Sequence, residues 1–98
     1  MSSSPNPDGA ITRVMKIVNE KGLHARASAK FVQLVEKYDA KVTVSRAGES
    51  AGGDSIMGLM MLAAGIGTSI EVSATGAQAA EVVDALDALV SGKFGEEE

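Results

Sequence analysis

The only histidine of the chain, His24, stands in the run Lys21-Gly22-Leu23-His24-Ala25-Arg26, where a strand-like pattern stops and a helical one begins. An imidazole at a helix start faces unpaired backbone N–H groups and the positive end of the helix dipole, which together form an anion site. Arg26, two residues on, adds a forked cation that can balance a phosphate. A neutral imidazole nitrogen is a nucleophile near neutral pH, so the same spot can accept a phosphoryl group and then hold its charge. The residues therefore point to a phosphohistidine site. The competing reading is a histidine that merely begins a helix, because helix starts bind anions without doing chemistry. A second candidate is Ser55, which follows Asp54 and precedes an apolar segment. A serine there is first of all an N-cap for the orphan donors of a helix.

These residues need elements to hold them. Residues 11–18 are rich in β-branched side chains, with Ile11, Met15 and Ile17 on one side and Thr12 and Lys16 on the other, a half-buried strand. From 25 to 38 the period changes. Ala27, Phe31, Leu34, Val35 and Tyr38 share one helix face, while Arg26, Lys30, Gln33 and Lys37 point away. Residues 41–46 alternate as a second strand, and 48–53 are turn material with room for a short third. Residues 56–64 read as a short helix capped by Ser55 and ended by Gly65 and Gly67. Residues 68–73 alternate again. The last helix opens with Thr75-Gly76-Ala77-Gln78, a capping-box spacing, places Val82, Val83, Leu86, Leu89 and Val90 on one face, and stops at Gly92. The order predicts an α+β open-faced sandwich, a sheet with helices on one face and water on the other. Residues 1–10, rich in Ser, Pro and Asn, read as a disordered tail, 11–92 as one domain and 93–98 as an acidic tail.

Composition excludes several function classes. A chain of 98 residues has room for one core. Aromatics make up 3% of it, so that core must rest on Val, Ile, Leu, Met and Ala. A formal charge of −4 argues against nucleic acid as a partner, since phosphate neutralisation dominates such affinity. The chain has no cysteine, which removes disulfides and thiolate metal sites, and one histidine cannot build a His-based metal cluster. No cofactor is expected. The longest apolar run, 56–64, is broken by Gly58 and falls far short of a membrane span, so the expectation is a soluble cytoplasmic protein.

Gly22-Leu23-His24-Ala25-Arg26, followed by Ala29 and Phe31, resembles the active-site loop of the HPr phosphocarriers of the bacterial phosphotransferase system. Asp54-Ser55-Ile56-Met57-Gly58-Leu59 resembles the segment carrying that family's regulatory serine. The likeness runs from about Arg13 to Val90, and the C-terminal part, through Phe94 and the acidic end, looks closest to the nitrogen-branch NPr type. The resemblance implies an HPr-like fold, a four-stranded antiparallel sheet with three helices on one face in the order βαββαβα. It implies that His24 receives a phosphoryl group from phosphorylated enzyme I and passes it to enzyme IIA-type proteins, in a sugar or a nitrogen-regulatory branch. The protein would carry the group rather than act as a stand-alone catalyst. Arg26 would balance the phosphate charge, Ser55 would be a target of an HPr kinase, and Ala29, Ile56, Met57 and Met60 would serve partner docking. The Met-rich segment is otherwise read as core, with part of it left exposed. One departure stands out: the family usually has proline where this chain has Ala27, which restores an N–H donor at the helix start. The alternative function is a regulatory binding module acting through the Ser55 helix. A small-molecule-binding domain has only fold class behind it.

Overall fold

Alternating side chains build a sheet with one dry face. The computed structural model describes residues 10–96. Its elements run β1 (Ile11–Lys16), α1 (Ala25–Val35), β2 (Lys41–Arg46), β3 (Glu49–Gly52), α2 (Ile56–Met61), β4 (Ser69–Thr75) and α3 (Ala79–Ser91), followed by a one-turn 3-10 segment at Lys93–Gly95. All pairings are antiparallel and the strand order is β1-β4-β2-β3. Register puts Ile11 opposite Ala74 and Ala74 opposite Val42, then Val72 opposite Val44 and Met15 opposite Ile70, so one face carries the apolar rows. The three helices lie on that face and contribute Phe31, Leu59, Val82, Val83, Leu86 and Val90, each at most 1% exposed. The βαββαβα order and the open-faced sandwich expected from periodicity are those observed.

Arg13 occupies an inward-facing position of edge strand β1, opposite Val72. The cost of a cation there is offset by α3, whose Asp84 and Asp87 accept from the guanidinium at 2.9 and 3.1 Å. Half-exposed pairs of this kind contribute about 0–1 kcal/mol. They also make β1 unattractive as an edge for further strand pairing.

Several element ends differ from the sequence reading, each time because tertiary contacts redirect the chain. The first helix stops at Val35 rather than near Tyr38, and its last turn tightens as Lys37 and Tyr38 donate to the carbonyls of Leu34 and Val35. The second helix ends at Met61 rather than at Gly65, because Ala63 takes a left-handed conformation, φ 54°. That turn buries Ala64 and aims its carbonyl at the N–H of Leu23. The expected capping box before α3 does not form. Thr75 ends β4, and the Gln78 side chain instead accepts from the N–H of Asp39 at 2.8 Å. Most of the expected N-terminal tail lies outside the described residues, but Ala10 is buried. At the other end, residues 93–96 do not leave the domain. Lys93, Phe94 and Gly95 all have positive φ, and this turn carries Phe94 into the core, 1% exposed.

Candidate functional site

The loop between β1 and α1 is clamped before it reaches His24. Ile17 donates to Thr68 at 2.8 Å and accepts from Gly67 at 2.9 Å, and Leu23 donates to Ala64 at 3.0 Å. Asn19, fully buried, closes a turn on Gly22: its carbonyl accepts from the Gly22 N–H at 3.2 Å and its side-chain amide donates to the Gly22 carbonyl at 2.9 Å. Gly22 has φ 63° and lies so close to the 64–65 backbone that a Cβ would come within 2.2 Å of the Ala64 oxygen. Ser28, also fully buried, donates from Oγ to the Leu23 carbonyl. The backbone on both sides of His24 is therefore fixed.

His24 is the N-cap of α1, with extended backbone and a carbonyl that accepts from Ser28 N–H at 2.8 Å, but its side chain makes no capping bond. The imidazole is thus left for other work, beside the helix N–H groups of Ala25, Arg26 and Ala27 that have no partner within the helix. Arg26 is exposed and makes no hydrogen bond or ion pair among the described residues. Its neighbour Ala27 is fully buried, with a helical N–H that proline would lack.

The other side of the ring belongs to the C-terminal segment. His24 Nε2 is hydrogen-bonded to Glu96 Oε2, while the second carboxylate oxygen accepts from the Asn19 side-chain amide at 3.2 Å. The hydrogen bond from His24 holds the Glu96 carboxyl below its ordinary range, helped by Asn19 and the charges of His24 and Lys21 and opposed by burial. Lys30 ties the same segment down through a 2.6 Å hydrogen bond from Nζ to the Phe94 carbonyl. The result is an open cleft lined by Glu20, Lys21, His24, Arg26, Lys30 and Glu96, with Ala25 and Gly95.

Of the residues expected from sequence, His24 and Arg26 share this cleft, whereas Ala29, Ser55, Ile56, Met57 and Met60 do not line it. Ser55 caps α2, its Oγ accepting from Gly58 N–H at 2.9 Å. Ile56, Met57, Met60 and Met61 are exposed, Met57 and Met61 by 68% and 72%, because Leu59 and Leu62 supply the buried side of this short helix. Ala29 is half-buried. Asn19, Lys30 and Glu96 were not legible as site residues. Lys30 reads as an outward helix position and Glu96 as one of three adjacent acidic residues in a solvated end. Among the described residues no group of acidic or histidine side chains could hold a metal ion, and no helix is long and apolar enough to cross a membrane.

Known proteins resemble this chain over most of its length, in sequence and in fold. Residues 11–92 match the family model described as the PTS HPr component phosphorylation site. The chain is 47% identical over 88 residues to the phosphocarrier protein HPr of Cupriavidus necator, covering 90% of this chain and 99% of that one. It is 38% identical over 86 residues to the phosphocarrier protein NPr of Shewanella violacea, covering 88% and 94%. Its fold superposes on the crystal structure of HPr-C-His from Thermoanaerobacter tengcongensis with a TM-score of 0.84 at 37% identity, over 89% of this chain and 98% of that one.

Proposed function

Since the chain belongs to the HPr family of phosphocarriers of the phosphotransferase system, we propose that His24 accepts a phosphoryl group from phosphorylated enzyme I and passes it to enzyme IIA-type proteins, in a sugar or nitrogen-regulatory branch. One observation carries this reading: the His24 imidazole sits at the start of α1 without capping it, next to open helix N–H groups and an exposed Arg26 that has no ion pair among the described residues. A transferred phosphoryl group there meets backbone donors, the positive helix end and a guanidinium at once. The chain supplies a nucleophile and charge balance, and its partners supply the rest of the chemistry. The cytoplasm is the compartment this reading assigns.

Docking falls to the neighbouring surface. Ile56, Met57 and Met60 expose flexible apolar side chains, which suit a face that must fit several partners in turn, and half-buried Ala29 extends it on α1. Incubation with enzyme I and phosphoenolpyruvate is the direct test. The parent chain should acquire acid-labile phosphate, and Arg26→Ala should do so about tenfold more slowly, the equivalent of ~1.4 kcal/mol of lost charge balance. An unlabelled parent would remove the proposal, and an unchanged rate in the variant would remove Arg26 from it.

Ser55 is the candidate regulatory position, open to an HPr kinase. Its Oγ already serves Gly58 N–H as acceptor, so added negative charge favours the helix start by roughly 0.3–1 kcal/mol. The same charge lies beside the exposed methionines and opposes an incoming partner that carries a phosphate. Ser55→Asp should keep or slightly raise the melting temperature while slowing His24 phosphorylation, and the slowing should ease at high salt. Equally fast labelling at low salt would take Ser55 out of the docking surface. The alternative, a binding module that works through the Ser55 helix without phosphoryl transfer, leaves the open Arg26 and the uncapped imidazole without a use.

A further inference from the structure

An ionised Glu96 carboxylate has no hydrogen to give and can only accept from His24, and the contact with His24, joined by the Asn19 amide, favours that ionised form. The hydrogen of a neutral imidazole must then sit on Nε2, and the lone pair must sit on Nδ1. We propose that Glu96 is a positioning residue for phosphoryl transfer: oriented by Asn19, its carboxylate fixes the tautomer and plane of His24 so that Nδ1 is the nucleophilic nitrogen. This rests on the reading of His24 as the phosphoryl acceptor.

The supporting arrangement is built into the fold at three points. Phe94, buried in the core, anchors the segment. Lys30 holds the Phe94 carbonyl at 2.6 Å. Asn19, itself fully buried, donates to Glu96 Oε1 at 3.2 Å while its second amide hydrogen is held by the Gly22 carbonyl at 2.9 Å. The Glu96 side chain is 14% exposed and the His24 side chain 26%, so water competes weakly for the contact. In the transfer step the bond from phosphorus to the donor's nitrogen breaks, its electron pair stays with the donor, and the Nδ1–P bond forms. No proton leaves His24. The ring therefore ends positively charged with Nε2–H still facing the carboxylate, which stabilises that charge, while Arg26 and Lys21 in the same cleft face the transferred phosphate and Glu20 opposes it.

The geometry makes an unusual ordering of variants. In Glu96→Gln, the Asn19 amide still requires an oxygen opposite it, so the glutamine NH₂ turns toward His24 Nε2. A nitrogen facing a donor must accept, which moves the imidazole hydrogen to Nδ1 and blocks the nucleophile. In Glu96→Ala the ring meets water and samples both tautomers. Glutamine should therefore do more harm than alanine. The experiment measures ¹⁵N chemical shifts of the His24 ring at about pH 8.5, above the ordinary imidazole range, together with the rate of labelling by enzyme I and phosphoenolpyruvate. The expected result is an Nε2–H tautomer in the parent, Nδ1–H in Glu96→Gln with labelling at least about tenfold slower, and Glu96→Ala between the two. Glu96→Gln with the parent's tautomer, or with a rate equal to or faster than the parent's, would overturn the proposal. A parent that is labelled normally while Glu96→Gln is unaffected refutes the role of Glu96 alone, whereas an unlabelled parent refutes the reading of His24 on which it rests.

Discussion

Replacing His24 by alanine abolishes phosphoryl acceptance and leaves the domain folded. The loss is complete because no other imidazole exists in the chain and no cysteine can substitute as nucleophile. Folding survives because the removed ring makes no capping bond to α1 and belongs to a side chain 26% exposed, outside the apolar core. The partner it releases among the described residues, Glu96, keeps its bond to Asn19 and can be hydrated at the cleft. The stability change should stay within about 1 kcal/mol, the order of one hydrogen bond lost, since the N-cap position keeps its backbone bond and has no side-chain cap to lose. Mass spectrometry after incubation with the donor system, set beside a urea melt, checks both halves. Acid-labile phosphate retained on the variant would place the acceptor elsewhere.

Gly22→Ala should unfold the site from behind. Gly22 combines a left-handed φ of 63° with backbone contact to the 64–65 segment, where a Cβ would lie 2.2 Å from the Ala64 oxygen and 2.9 Å from the Gly65 Cα. Both partners are main chain, so relief requires the two loops to separate. Separation would break the Leu23 to Ala64 hydrogen bond and the Asn19 turn. Left-handed strain costs about 1–2 kcal/mol and overpacking about 1–3 kcal/mol more, so the expected loss is roughly 2–5 kcal/mol. The urea midpoint should fall without a change in slope. Phosphoryl acceptance should fall further than the folded fraction does, since Leu23 and Gly22 set the approach of the chain to His24. An unfolding free energy within about 0.5 kcal/mol of the parent's would show that the two loops are not rigidly joined.

Much of this protein follows from the order of its residues alone. Alternation along β1, β2 and β4 sets which side of each strand is buried. The i, i+4, i+7 spacing of Ala27, Phe31 and Leu34 sets the inner face of α1, and Ser55 marks the start of α2. These are local properties, because a side chain's face depends only on its position in the backbone repeat. The change of period at His24 likewise placed an imidazole at a helix start, and the Gly22 to Arg26 run carried the family.

Where the elements end was decided elsewhere. Ala63 turns left-handed before any glycine because Ala64 must reach Leu23, and Gln78 caps nothing on its own helix because Asp39 claims its side chain. The exposed methionines of α2 could not be told from core residues, since only the packing of Leu59 and Leu62 shows which side of so short a helix is covered. The carboxylate beside His24 was the least legible feature. Glu96 lies 72 residues away along the chain, in an acidic run that reads as solvated, and it reaches the ring only because Phe94 is pulled into the core and Lys30 holds its carbonyl. Such a contact has no periodicity or spacing to announce it: it exists because separate segments bury their apolar anchors in one core, and closure of the chain around that core brings their polar ends together.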